Sequence, residues 1–240
     1  GINHIDIDEC HKRGVKVDSL IGTSFVKQIK ASSEFTLTLI LGLVRKLNAA
    51  IKYPLQGKWR KEENNLRSIE LFGKKAGIIG FGRIGNNVAK YLYSMGMKII
   101  YFDPYVITLK NKFKKTDLDT LLKSSDIIIL SAYLTDQTVD MCDENFFNRM
   151  KKKPYFINTS RGELIKEKAL INALKKQKIS GAAVDVIRDE QTKNIMANPL
   201  IKYSTKNNNL IITPHISGLS IDSESKAAIA ATEMLKKVLR

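Results

Sequence analysis

An α/β protein with an open, doubly wound parallel sheet is the fold this sequence predicts. Six short apolar runs recur from residue 76 onward: AGIIGF (76–81), KIIYF (98–102), DIIILSA (126–132), YFINTS (155–160), GAAVDV (181–186) and LIIT (210–213). They are continuous rather than alternating, as strands covered by helices on both faces are. Stretches with helical spacing separate them, and repeated β-α units with such strands build a parallel sheet.

Each element has a local reason. FTLTLILGLV (35–44) reads as a buried helix. After the first run, Ile84, Val88, Tyr91, Leu92 and Met95 recur at helical spacing and Gly96 ends the pattern. Thr116 is expected to cap TDLDTLLKSS, whose Asp117 and Asp119 suit the positive end of a helix. NFFNRM (145–150) is a short helix. Ala169, Leu170, Ala173 and Leu174 stripe another, which runs out near Ser180 and Gly181. Ser220 to Arg240 reads as one amphipathic helix. No repeat of solenoid period appears.

Composition narrows the classes. The chain has 240 residues, 43% of them hydrophobic, which suits a globular protein with a real core. No apolar run reaches the length of a membrane span. The opening GINHIDIDEC lacks a basic region followed by an apolar run, so no signal peptide is read. Cys10 and Cys142 have no zinc-type spacing; they are expected to be reduced, in a cytoplasmic protein without a metal. The net charge of +16 raises nucleic acid as a partner. The lysines are scattered, however, and the densest run, KKK at 151–153, reads as a solvated loop. No nucleic-acid partner is expected.

The stretch GIIGFGRIG (77–85) is the first candidate site. It follows a strand, opens a helix, and is followed by Asp103 at the end of the next strand, the pattern of a dinucleotide-binding Rossmann unit. Gly80 permits the tight turn, Gly82 lets the backbone approach a pyrophosphate, and Gly85 lets helix and strand pack closely. Unpaired N–H groups at the helix start then hold phosphate. Asp103 would accept hydrogen bonds from the ribose hydroxyls and repel a 2′-phosphate, which favours NAD over NADP. The competing reading is a structural glycine turn beside a surface aspartate.

Three polar residues follow later strands, at the end of an open α/β sheet where ligands bind. They are Arg161, Glu190 and His215. Singly, each reads as a solvated loop residue or a satisfied histidine. Together they suit a hydroxy acid: an arginine fork matches a carboxylate, a histidine takes a hydroxyl proton near neutral pH, and a carboxylate orients the histidine.

These motifs resemble those of the D-isomer-specific 2-hydroxyacid dehydrogenases, a family that includes phosphoglycerate, D-lactate and glyoxylate/hydroxypyruvate dehydrogenases. GINHIDIDECHKRGVKV, SSEFTLTLILGLVRKL, GKKAGIIGFGRIG, MKIIYFDPY, INTSRGELIKEKALINAL, ISGAAVDV and LIITPHISG follow in the family's order. The resemblance implies an NAD-dependent oxidoreductase that interconverts a D-2-hydroxy acid and its 2-keto acid by hydride transfer. Arg161 would bind the substrate carboxylate and polarise the carbonyl, His215 would be the acid/base, and Glu190 its partner. Arg83 and Ile84 would lie beside the pyrophosphate. Thr159, Ser160 and Gly218 would lie near the nicotinamide, and Asp185 would hold its carboxamide. Thr135 and Thr138 match a loop near the cofactor; ordinary turn residues are the competing reading. A homodimer is implied, packed through the helix SSEFTLTLILGLVRKL and its neighbours.

The resemblance also divides the chain. Residues 1–22 would end a truncated substrate domain, 23–216 would form the NAD-binding Rossmann domain, and 217–240 would return to the substrate domain as a helix. Remnants of a flavodoxin-like domain are thus expected at both ends. The family carries a further N-terminal stretch that closes the cleft, so turnover is expected to be impaired here. The loop TSFVKQIKASS, between Gly22 and Glu34, is longer than usual, which points to an unusual substrate. Gln191 stands after Glu190 where proline is common, and Glu190 itself argues against formate as substrate. The alternative function is a non-catalytic NAD(H)-binding scaffold or corepressor-like regulator.

Overall fold

Seven strands form one parallel sheet in the computed structural model of this chain, which describes residues 5–20, 23–60, 63–106 and 112–238. They are β1 (Lys75–Ile79), β2 (Lys98–Phe102), β3 (Lys114–Lys115), β4 (Ile127–Leu130), β5 (Tyr155–Asn158), β6 (Gly181–Val184) and β7 (Leu210–Ile212). Their order is β3-β2-β1-β4-β5-β6-β7, with every neighbouring pair parallel. This is the doubly wound arrangement that the apolar runs predict. From β1 the chain builds outward to β2 and β3, then crosses back to β4. The order therefore reverses between β1 and β4, where such sheets open a ligand crevice. The short edge strand β3 was not legible in the sequence. It consists of two exposed lysines, a composition that blunts a sheet edge.

The helices, in chain order, are α1 (Ile7–Lys12), α2 (Ala31–Val44), α3 (Leu47–Ala50), α4 (Lys52–Leu55), α5 (Arg83–Ser94), α6 (Leu118–Ser124), α7 (Glu144–Asn148), α8 (Glu167–Lys175), α9 (Pro199–Ser204) and α10 (Ile221–Val238). Successive residues of each strand face opposite layers. Ile127 and Ile129 join Ile40 and Val44 of α2 and Val88 and Leu92 of α5. Ile128 and Leu130 join Phe146 and Phe147 of α7 and Leu170 and Leu174 of α8. This two-faced burial explains why the strands are apolar throughout. Each such side chain contributes about 1.5–3 kcal/mol on burial.

Three local expectations change. Thr116 is not the cap of α6: its N–H bonds Tyr101 O at 2.9 Å, beside β3. Asp117 takes the cap instead, accepting from Thr120 N at 2.8 Å. That backbone bond, with the Thr120 hydroxyl next, holds the Asp117 carboxyl below its ordinary range. Met95 is exposed because α5 ends at Ser94; Gly96 turns at φ +81° and Met97 enters the core. Helix α8 ends at Lys175, short of Ser180, and Gln177 then adopts φ +51°.

The chain divides into two units, residues 32–217 and residues 1–31 with 218–240. The first holds the sheet. In the second, Asp6 caps α1 by accepting from Glu9 N at 2.9 Å. Ser24–Gln28 coil as a 3-10 turn in the lengthened loop, whose Gly22 lies outside the described residues, as does the boundary expected at residue 22. Helix α10 buries Ser223 and Ala230 and exposes Ile221 and Ile229. Among the described residues, no helix is long and apolar enough to cross a membrane.

Phe156 of β5 is fully buried and sits edge-on against Phe146 and Phe147, at 6.2 and 5.4 Å between centroids. Phe156→Ala is expected to destabilise the protein by about 3–5 kcal/mol, measured by urea unfolding.

Candidate functional site

The glycine turn is built by three different constraints. Gly80 follows β1 at φ +87° and donates its N–H to Phe102 O at 2.9 Å. A methyl there would lie 2.6 Å from the Ser131–Ala132 backbone, where β4 ends. A methyl on Gly85 would overlap the carbonyl of Gly80 and lie 3.1 Å from Ile78. Gly82 is different. It caps α5 at φ −73°, where any residue is comfortable, and a methyl there would meet nothing within 4 Å. Two glycines therefore serve the fold, while the third keeps open the space before a helix N-terminus.

That N-terminus carries a cation. Helices α6, α7 and α8 each carry an acidic residue in the first turn, but α5 carries none and begins with Arg83. A cation at the positive end of the helix dipole is unfavourable unless an anion is also there. Burial lowers the Arg83 pKa from its ordinary value, and the neighbouring Tyr133 opposes the shift. Arginine remains a cation through such shifts. Ile84 packs partly into the α2–α5 core layer.

Asp103 stands across the turn, after β2. Its Oδ2 accepts from Phe81 N at 2.7 Å, and its Oδ1 accepts from Tyr105 N at 2.9 Å and Val106 N at 3.1 Å. The carboxylate thus fixes the glycine turn from its place after β2. The sequence reading missed this second role, although an aspartate followed by proline is a turn signal.

The residues after β5, β6 and β7 meet because these strands are in register. Asn158 pairs with Val184, and Val184 with Ile212, so Arg161, Glu190 and His215 emerge from the same end of adjacent strands. The buried Asn158 shapes the first loop. Its Nδ2 donates to Arg161 O and its Oδ1 accepts from Ser160 N, both at 2.9 Å. The Arg161 guanidinium, half-buried, donates to Ser160 O at 2.7 Å. Thr159 and Ser160 have structural partners: Thr159 Oγ1 lies 2.8 Å from Thr36 Oγ1 of α2, and Ser160 Oγ donates to Leu130 O at 3.0 Å.

Asp185, at the end of β6, is fully buried. Its carboxylate accepts from Thr213 Oγ1 at 2.5 Å, Ile216 N at 3.0 Å and Ser217 N at 2.7 Å. It therefore holds the loop that carries His215. A carboxylate offers about four acceptor positions, so three donors leave room for one more. His215 itself has φ +55° and donates its N–H to Asp185 O at 2.8 Å. A left-handed non-glycine residue costs about 1–3 kcal/mol and persists where its surroundings hold it. His215 Nδ1 lies 2.6 Å from Glu190 Oε1, with both side chains partly exposed. The other ring nitrogen, Nε2, is the one left for a ligand.

Thr138 Oγ1 accepts from Thr135 N at 2.8 Å and donates to Tyr133 O at 2.7 Å, the bonds of a local turn. Gly218 belongs to the other unit. Among the described residues, no cluster of histidine, cysteine and acidic side chains could hold a metal.

A parallel sheet with a glycine turn at its switch point, an acidic residue after β2 and a polar trio beyond it defines a nucleotide-dependent α/β protein. Comparison with known proteins names the family. Residues 37–217 match the NAD binding domain of the D-isomer specific 2-hydroxyacid dehydrogenases. A glyoxylate reductase from Thermofilum pendens is 38% identical over the whole chain, which covers 70% of that protein. A D-3-phosphoglycerate dehydrogenase from Methanocaldococcus jannaschii is 34% identical, again over the whole chain, but only 44% of it is covered. The solved D-lactate dehydrogenase from Aquifex aeolicus, complexed with NAD and lactic acid, aligns with a TM-score of 0.85 at 30% identity, over all of this chain and 74% of that one. The chain belongs to the D-isomer specific 2-hydroxyacid dehydrogenase family, and the matched segment is its NAD-binding domain, so its cofactor is NAD.

Gly82→Ala is expected to cost at most about 1 kcal/mol of stability, since alanine is only a poorer cap. It should weaken NADH binding by about tenfold or more by filling the space for the pyrophosphate. Gly85→Ala should instead cost about 3 kcal/mol through overpacking. Thermal unfolding and calorimetry on both variants separate the two roles.

Proposed function

We propose that this chain carries the cofactor site and acid–base machinery of an NAD-dependent oxidoreductase acting on a D-2-hydroxy acid and its 2-keto acid. The bond between His215 Nδ1 and Glu190 Oε1, on loops beside the one that carries Arg161, is the observation that carries this reading.

Gly80, Gly82, Gly85 and the start of α5 would hold the pyrophosphate, with Arg83 adding charge and Asp103 receiving the ribose hydroxyls. Asp185, Thr159 and Ser160 would flank the nicotinamide side, with Ile84 beside the pyrophosphate and Gly218 near the ring. Bound NAD supplies the acceptor or donor of the hydride. His215 Nε2 takes the substrate's hydroxyl proton during oxidation and returns it to the carbonyl oxygen during reduction. Glu190 keeps Nδ1 protonated, so Nε2 is the basic nitrogen, and it steadies the imidazolium that forms. Arg161 exchanges the Ser160 carbonyl for the substrate carboxylate, which its planar fork matches.

The assembly we propose is a homodimer. After α2, Leu55 is 86% exposed and Trp59 77%, with Phe72 at 79%. Such large apolar side chains in one segment favour association. Light scattering should read twice the 27.0 kDa chain mass, and Leu55→Asp with Trp59→Asp should return it to the chain mass. A reducing, cytoplasmic setting suits the two free cysteines, of which Cys142 is buried with its thiol pushed well up by burial.

The deciding experiment joins calorimetry with a panel of 2-keto acids. NADH should bind more tightly than NADPH. Asp103→Ala should weaken NADH by about 10- to 100-fold, the value of hydrogen bonds to a charged group. His215→Gln should leave NADH affinity intact and slow keto-acid reduction by about 100- to 10,000-fold. Equal turnover in wild type and His215→Gln would refute the assignment.

A further inference from the structure

Glu190 sits on a loop that gives it little support of its own. From Asp189 to Ala197 every residue is exposed except the half-buried Ile195. A glutamate on such a segment would sample many positions, yet here it meets His215 at 2.6 Å. Inside the segment a turn bond from Thr192 N to Asp189 O at 3.0 Å spans Glu190, and the side-chain bonds that fasten the segment lie at its two ends.

At the first end, Arg188 is held twice. Its backbone N–H donates to Glu167 Oε1 at 3.0 Å. Its guanidinium pairs with Asp140 Oδ1 through Nη2, and the same nitrogen donates to Glu163 O at 3.1 Å. Asp140 N donates to that carbonyl too, at 2.9 Å. At the other end, Asn198 Nδ2 donates to Glu167 Oε1 and Oε2 at 3.0 and 3.1 Å. One carboxylate in the first turn of α8 therefore fastens both ends of the loop. The Arg161 loop is part of the same assembly. A methyl on Gly162 would overlap the Ile187 carbonyl and lie 2.5 Å from Arg188 N, so the two backbones touch directly.

We propose that Arg188, Asp140 and Glu167 are positioning residues that set Glu190 against His215 and keep the Glu190 loop in step with Arg161. The proposal rests on the reading of Glu190 and His215 as the acid–base pair. The Arg188–Asp140 ion pair is partly exposed, and such pairs add little to stability. Its consequence is positional: a small displacement of a reacting group has a large effect on rate.

The test reads the histidine ring directly. The chain has three histidines, so His215→Gln identifies the His215 signals in two-bond proton–nitrogen NMR spectra. These spectra, taken where the ring is neutral, distinguish Nδ1–H from Nε2–H. Wild type should show Nδ1–H at His215, the donor to Glu190, and Glu190→Ala should lose it. Asp140→Asn, Arg188→Gln and Glu167→Gln should each move His215 towards the Glu190→Ala pattern while NADH affinity stays at the wild-type value. Asparagine tolerates the φ of +56° at Asp140, so that variant keeps the fold testable. Wild-type spectra in all three variants, with a changed Glu190→Ala spectrum, would overturn the positioning role alone. An unchanged Glu190→Ala spectrum would refute the pair itself, and the proposal with it.

Discussion

The carboxylate of Asp185 is the constraint on which the carboxyl end of the sheet depends. It is fully buried, and a buried charge is tolerable only when polar partners surround it. Thr213, Ile216 and Ser217 supply them, and all three lie on the segment around His215. The loop cannot drift without leaving that charge unsatisfied. The left-handed backbone of His215 is the local cost of this closure, and the bond from its N–H to Asp185 O maintains it. The imidazole then points where Glu190 can reach Nδ1.

The cofactor end follows the same logic. Asp103 accepts three backbone N–H groups, one from the glycine turn after β1 and two from the loop after β2, so its orientation is settled before any ligand arrives. The α5 N-terminus contributes a positive charge, Arg83, with no acidic residue in the first turn. Both features make sense of an anionic ligand with ribose hydroxyls. They also show why fold and site are hard to separate here, since the groups that would meet the ligand are the ones that tie the loops together.

Much of this was legible along the chain. The apolar runs gave up the strands because two-faced burial leaves no polar alternation, and glycine spacing marked the turn before α5. What escaped was of several kinds. Short elements such as β3 and the helices α1, α3, α4 and α9 have too few residues to form a pattern. Helix ends depend on neighbours: Thr116 was drawn into bonding with β2, leaving Asp117 to cap α6. The buried Asn158 also went unread, because a lone polar residue in an apolar run reveals nothing about its partners.

The sequence by itself determined the order of six of the seven strands and of the longer helices, the glycine turn, and the residue types that emerge after β5, β6 and β7. It could do so because burial and turn geometry leave local, periodic marks. Only the tertiary structure decided which polar groups hold other groups in place. Thr159 finds Thr36 across 123 residues, and Arg188 finds Asp140 across 48. A hydrogen bond between distant segments imposes no spacing on the chain, so it becomes visible only when the sheet brings the segments together.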